Sequence, residues 1–287
     1  MPITIKEESE MSNCGSCPSK GECNKDQQSC GIQNNPLNKI KKIIGIMSGK
    51  GGVGKSTMSV VVAKQLRKLG YSVGILDADI TGPSIPRLLN IEKEKAIGTD
   101  EYLLPIETDD KIKVMSLNLL IEDESEPVIW RGPVISGAVK QFWTEVLWGE
   151  LDYLVIDMPP GTGDVALTVM QSIPINGIAM VSVPQDLVSM IVSKAINMAK
   201  KMNIKVLGVI ENMSYIVCPD CNKKIKLFNS ENIDEFLKEL GVKLLGELPM
   251  VNSISNISKY NYYTSEEEVE QLFGSIVKNI LESLQEE

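Results

Sequence analysis

Short apolar runs recur along the chain from Ile40 onward, each bounded by glycine, proline or charged residues. KIIGIMS (Lys42–Ser48) is the first, and it leads directly into a glycine-rich loop. A run with no polar alternation is what a strand buried on both faces of a parallel sheet requires. Ser56–Leu69 then places apolar residues at helical spacing and stops at Gly70, as helices do before a residue that tolerates left-handed φ. YSVGILDAD (Tyr71–Asp79), LDYLVIDMP (Leu151–Pro159), GIAMVSVP (Gly177–Pro184), IKVLGVIEN (Ile204–Asn212) and VKLLGELP (Val242–Pro249) repeat the strand pattern, with helical stretches between most of them. This alternation predicts an α/β fold with a doubly wound, mainly parallel sheet and right-handed crossovers. EYLLPIE and KIKVMSL (Glu101–Glu107 and Lys111–Leu117) predict a hairpin inserted after the second βα unit. Thr264–Glu287 predicts a closing amphipathic helix.

Residues 1–38 break the pattern. They are polar, carry cysteines and lack apolar periodicity, so they cannot bury a core of their own. The expected organisation is a cysteine-bearing, metal-binding extension and linker at 1–38, then one α/β domain at 39–287. Composition adds exclusions. With 43% hydrophobic and 23% charged residues, the chain can bury an ordinary core. No stretch approaches the roughly 18 apolar residues of a membrane span. The acidic start, MPITIKEESEMSNC, lacks the apolar centre of a secretion signal. A cytoplasmic location is therefore expected. A net charge of −9 argues against nucleic acid and membrane as partners, since both select a basic face. The chain has no histidine, which excludes histidine-based acid–base chemistry.

GKGGVGKST follows the first strand and opens the first helix, the setting that a G-x-x-x-x-G-K-[ST] phosphate loop requires. Its residues are Gly49, Lys50, Gly51, Gly52, Val53, Gly54, Lys55, Ser56 and Thr57. The glycines let backbone N–H groups converge on phosphates, with the helix N-terminus adding its dipole. Lys55 would reach the β- and γ-phosphates, and Ser56 would hold Mg²⁺. Two later strands end in aspartates at the sheet edge where such folds bind ligands: Asp77 and Asp79 in LDADITGPSIP, Asp157 and Asp164 in VIDMPPGTGD. Asp157, closing the apolar LVID, has the position of a carboxylate that holds Mg²⁺ through water. Asp77 is expected to support its loop, and Gly161 and Gly163 suggest a switch loop whose backbone can approach the γ-phosphate. No guanine-reading N-K-x-D motif is visible, so ATP is favoured over GTP.

Lys50, a second lysine at the start of the loop, lies too near the loop's edge to duplicate Lys55. Here the chain resembles the deviant Walker A ATPases of the MinD, ParA and nitrogenase iron-protein class. That resemblance implies a homodimer in which Lys50 crosses to the partner's nucleotide. It also implies that Asp79 orients or deprotonates the attacking water and that Asn212 contacts the adenine.

The six cysteines fall into two groups: Cys14, Cys17, Cys23 and Cys30, then Cys218 and Cys221. A reducing cytosol favours metal or redox work over disulfides. Cys218-Pro-Asp-Cys221 offers two thiolates where a tetrahedral site needs four. A hairpin over 214–227 with CPDC at its tip, repeated across a two-fold axis, would supply four, the ligand set of a [4Fe–4S] cluster or of zinc. GKGGVGKS, LDADITGPSIP, Trp130-Arg131-Gly132-Pro133, DMPPGTGD, VSVPQDL and ENMSYIVCPDC stand in the order found in the Mrp/Nbp-type iron–sulfur cluster carrier ATPases, which the chain resembles from about Lys39 to its end. The resemblance implies a labile [4Fe–4S] cluster held by Cys218 and Cys221 of two subunits. It further implies delivery of that cluster to apoproteins under ATP control, with a separate scaffold for loading. Some members carry an upstream cysteine and then C-x₂-C-x₅-C. Cys14, Cys17 and Cys23 match the latter, while the fourth cysteine, Cys30, lies downstream. One four-cysteine cluster, a zinc knuckle and a simple thiol tail all remain open for this segment. Two other readings compete: a spatial-organising ATPase like MinD or ParA, and an electron donor like the nitrogenase iron protein. The first would need a basic DNA-binding or amphipathic surface, whereas the last helix is acidic; the second carries its ligand cysteines far apart in sequence.

Overall fold

A computed structural model describes residues 34–286, except 81, 100, 122–131, 188–189, 219, 222, 227–232 and 251–265. Its strands are β1 (Lys39–Ser48), β2 (Val73–Asp77), β3 (Ile97–Gly98), β4 (Leu103–Leu104), β5 (Ile106–Glu107), β6 (Ile112–Met115), β7 (Glu150–Asp157), β8 (Gly177–Ser182), β9 (Val206–Val217), β10 (Lys224–Lys226) and β11 (Leu244–Pro249). Its helices are α1 (Lys55–Lys68), α2 (Ile85–Leu88), α3 (Gly132–Thr144), α4 (Asp164–Ser172), α5 (Pro184–Leu187), α6 (Met190–Lys201), α7 (Ile233–Glu239) and α8 (Glu266–Gln285).

Among the described residues, nine strands form one sheet in the order β10-β9-β8-β1-β7-β2-β6-β5, with β11 also paired to β9. The pairs from β9 to β6 are parallel, as is β11 with β9, and the two outermost pairs are antiparallel. The apolar runs are continuous because both faces are covered. Along β1, Ile43 and Met47 join a core with α3, α4 and α6, while Ile44 and Ile46 join a second core with α1 and α8. β7 repeats the division, with Leu154 and Ile156 on one face and Val155 on the other. Each such buried aliphatic side chain contributes about 1.5–3 kcal/mol relative to exposure.

The hairpin expected after the second βα unit takes a different form. β5 and β6 do pair antiparallel, but β6 also runs parallel to β2, from Val73 opposite Ile112 to Leu76 opposite Met115. KIKVMSL is therefore a member of the main sheet rather than an insertion. Ile112, Val114 and Met115 are fully buried, which a two-stranded excursion could not provide. The other arm breaks at Pro105, which has no N–H for a ladder. Before it, Leu103–Leu104 pairs with β3 instead.

β9 runs five residues past Asn212, and β10 pairs antiparallel to its end, Val217 opposite Lys224. Near its start, the register against β8 shifts between Ile178 and Ala179. Gly208 sits at that irregularity with φ +145, and a Cβ there would lie 2.6 Å from the Lys243 carbonyl oxygen. Gly208→Ala is thus expected to destabilise the protein by about 1–3 kcal/mol, through overpacking against backbone that cannot step aside. Denaturant titration should show a lower midpoint with an unchanged slope.

Candidate functional site: a phosphate loop joined by one strand to a cysteine hairpin

Three parallel strands end side by side, with Asp157 of β7 in register with Ile46 of β1 and with Asp77 of β2. The loop leaving β1 curls over this edge. Gly52 and Gly54 adopt left-handed φ of 82° and 88°, and Val53 between them plugs into the core. A Cβ on Gly54 would lie 2.3 Å from the Asn212 amide nitrogen, so the close approach of loop and β9 demands glycine. α1 starts at Lys55 with no acidic residue in its first turn. Its N-terminal N–H groups and dipole are left to an incoming anion.

Beneath the loop lies a compact charge cluster. Lys55 is 6% exposed, and its Nζ donates to Asp157 Oδ2 at 2.8 Å and lies 3.3 Å from Asp79 Oδ2. Ser56 Oγ donates to the same Asp157 oxygen at 2.6 Å, and Ser59 Oγ to its Oδ1 at 2.7 Å. Asp157 and Asp77 are 0% exposed and Asp79 is 9% exposed. Burial first, then repulsion by Asp157, pushes the Asp77 carboxyl well above the usual carboxylate range. Asp77 accepts from Ser116 Oγ at 3.1 Å and from the Asp79 and Ile85 N–H groups, tying the end of β2 to α2.

Asp157 and Asp79 share one lysine, an acidic surplus that suits a divalent cation. Asp157 and Ser56 are the residues that would hold Mg²⁺ there, where it would offset phosphate charge. Above the cluster opens a cleft of about 390 Å³, lined by Gly51, Gly52, Gly54, Lys55, Ser56, Thr57 and Asp79 of the expected set. Ser48, Gly82, Ser84, Leu88, Pro160 and Met213 complete it. Gly161, at φ +78, donates its N–H to the Ser48 carbonyl and holds the β7–α4 loop against the phosphate loop. Asp164 stands exposed in the first turn of α4. Gly49 packs beside Ile191, and Lys50 is exposed.

Asn212 occupies a place that the motif did not suggest. It is fully buried under the loop, donates from Nδ2 to the Val53 carbonyl at 3.0 Å, and accepts from the Met213 N–H. Its side chain braces the loop backbone in this conformation. Ser59 and Met213 had carried no motif signal. Ser59 was legible in hindsight through its i+4 spacing from Lys55, which puts both on one helix face.

The second cluster of chemistry lies farther along β9. Cys218 follows Val217 directly, and its N–H donates to the Lys223 carbonyl at 3.0 Å, closing the tip of the β9–β10 hairpin. Cys218 is half-buried and Cys221 exposed, both as free thiols. The backbone N–H groups of Asp220 and Cys221, then the Cys221 thiol, hold the Cys218 thiol below its ordinary value and favour the thiolate that binds metals. Among the described residues, no third cysteine or carboxylate gathers with this pair. Cys14, Cys17, Cys23 and Cys30 lie outside the described residues. No helix among those described is long and apolar enough to cross a membrane.

The chain is similar to several known proteins. An iron-sulfur cluster carrier protein of Clostridium perfringens is 48% identical over 254 residues, covering 84% of this chain and 89% of its own. A nucleotide-binding protein of Archaeoglobus fulgidus, solved in complex with ADP, is 40% identical with a TM-score of 0.66, covering 83% of this chain and 88% of that one. The septum site-determining protein MinD of Pyrococcus horikoshii, solved with Mg-ADP, is 19% identical with a TM-score of 0.58 over 84% of this chain and 96% of its own, a likeness of fold. The model of the ParA-type family described as NUBPL iron-transfer P-loop NTPase matches residues 39–285, and the chain belongs to that family.

Proposed function

We propose that this protein is an ATP-hydrolysing carrier of iron–sulfur clusters that takes up a labile [4Fe–4S] cluster on Cys218 and Cys221 of two subunits and passes it to apoproteins. The observation that carries the reading is the placement of both chemistries on β9. Asn212 on this strand braces the phosphate loop, and Cys218 follows the strand's last residue. A pair of free thiols at a hairpin tip is half of a four-thiolate site, and a two-fold axis beside the tip supplies the other half. The names of the similar carrier proteins support the same cargo.

In this reading Lys55 exchanges its aspartate partners for the β- and γ-phosphates. Asp157 and Ser56 serve Mg²⁺. Asp79, at the wall of the cleft, orients or deprotonates the attacking water. Lys50 reaches the nucleotide of the partner subunit, so ATP binding and subunit pairing are one event. Asn212 enters this reading through the loop backbone that it braces. Cys14, Cys17, Cys23 and Cys30 form a separate metal site on the N-terminal segment. The clients are apo iron–sulfur proteins, a separate scaffold loads the cluster onto the carrier, and the location is the cytoplasm.

Lys55→Ala should abolish measurable nucleotide binding in calorimetry. It should also lower stability by about 3–5 kcal/mol, because it strands buried carboxylates without their cation. Asp79→Ala should bind ATP but hydrolyse it about 100- to 10,000-fold more slowly, the usual weight of a general base. Normal turnover in that variant would reassign the role. Protein reconstituted with iron and sulfide should show a broad visible charge-transfer band. That band should be reduced in Cys218→Ala and in Cys221→Ala, and should persist at those sites when the four N-terminal cysteines are replaced. A band unaffected by either hairpin substitution would overturn the cargo assignment.

A further inference from the structure

Between the phosphate loop and the cysteines, β9 is not a plain strand. Met213 has φ +55, a left-handed conformation that a side-chain-bearing residue rarely adopts. Opposite it the ladder slips: Glu211 pairs with Glu247, yet Tyr215 pairs with Pro249, so three residues of β9 face one of β11. This is a bulge, a device that re-aims the chain beyond it. Its position is specific. Asn212 on one side is bonded to the Val53 carbonyl, Met213 itself lines the nucleotide cleft, and Cys218 lies five residues beyond.

A polar network closes around the bulge. Ser214 Oγ donates to Glu211 Oε2 at 2.9 Å, spanning the left-handed residue. Glu211 is 1% exposed and stands opposite Glu247 in the ladder between β9 and β11. Burial first, with the neighbouring Glu247 adding to it against the lowering by the Ser214 hydroxyl, raises the Glu211 carboxyl. Glu247 in turn pairs with Lys226 of β10 at 2.9 Å, and Lys226 stands opposite Tyr215 in the hairpin ladder. Lys224 Nζ lies 4.5 Å from the centre of the Tyr215 ring on the same hairpin. The network therefore runs from the strand under the nucleotide, across β11, into the second arm of the cysteine hairpin. None of Glu211, Ser214, Glu247 and Lys226 has a part in ATP hydrolysis as described above.

We propose that this bulge is the joint through which nucleotide occupancy sets the geometry of the cysteine hairpin, with Glu211, Ser214, Glu247 and Lys226 as its positioning residues. The proposal rests on the carrier reading. A nucleotide in the cleft bears on Met213 and on the loop that Asn212 braces. With the network intact, the displacement passes to Tyr215–Cys218 because both arms of the hairpin are tied to the strands beside it. Without the network, the bulge absorbs the displacement and the thiols stay indifferent to the nucleotide.

The test uses full-length, reduced, metal-free protein with Cys14, Cys17, Cys23 and Cys30 replaced by serine, so that only Cys218 and Cys221 report. Their alkylation rates with a neutral maleimide are measured with and without a Mg²⁺-bound, non-hydrolysable ATP analogue. Nucleotide affinity and association state are followed in parallel by calorimetry and light scattering. The analogue should change the rates about 5-fold or more, the lower end of ordinary site-to-site coupling. Ser214→Ala and Lys226→Met should bind the analogue and associate as the parent does, yet lose most of that response. Lys226→Arg, which keeps the ion pair with Glu247, should retain it. A full response in both Ser214→Ala and Lys226→Met, or analogue binding by the parent without any change in rate, overturns the coupling. Failure of the parent to bind the analogue overturns the carrier reading, and the coupling with it.

Discussion

Lys55 is drawn down from the start of α1 into a nearly dry site, where Asp157 holds its ammonium at 2.8 Å with Asp79 at 3.3 Å. Buried charges of this kind cost several kcal/mol to desolvate, and they persist only where geometry and further hydrogen bonds repay them. Here Ser56 and Ser59 each add a hydrogen bond to Asp157. The pair ties α1 to β7 and so determines where the phosphate loop can sit. It also leaves the site under tension. With Asp77 and Asp79 alongside, the carboxyl groups outnumber the lysine, and an arriving Mg²⁺ and phosphate would redistribute that charge instead of building a site anew.

The charge cluster forms where it does because of the sheet. A doubly wound parallel sheet places the carboxyl ends of neighbouring strands along one edge. Asp77 and Asp157 are register partners although eighty residues separate them. Coverage of both faces keeps water away from the strands and lets a lysine and three carboxyl groups interact at low dielectric. β9 extends the same edge outward. It passes under the phosphate loop at Asn212, bends at Met213 and ends at the cysteine hairpin, so events at the loop and at the thiols share one backbone.

Several of these features were legible before any coordinates. The phosphate loop, the strand-ending aspartates and the CPDC pair declare themselves because their chemistry demands fixed residue types at short, fixed spacings. Other features were not. Asn212 reads as a strand-end residue in the sequence, and its burial against Val53 emerges only when β9 and the loop from β1 meet. KIKVMSL reads as half of a local hairpin, since periodicity does not say which distant strand an apolar run will join. Glu211 and Glu247 are two ordinary glutamates among many until the β9–β11 register sets them opposite each other.

The order of strands and helices, the phosphate loop and the thiol pair are thus properties of the amino-acid sequence itself. They rest on local constraints: a period of burial, a glycine where φ must be positive, two sulfurs within reach of one metal. The tertiary structure alone decided which charges are buried together, that Lys55 rests between Asp157 and Asp79, and that β9 carries a bulge between nucleotide and cysteines. Those outcomes depend on packing between segments far apart in the chain, where desolvation and strand register select among partners that no local pattern distinguishes.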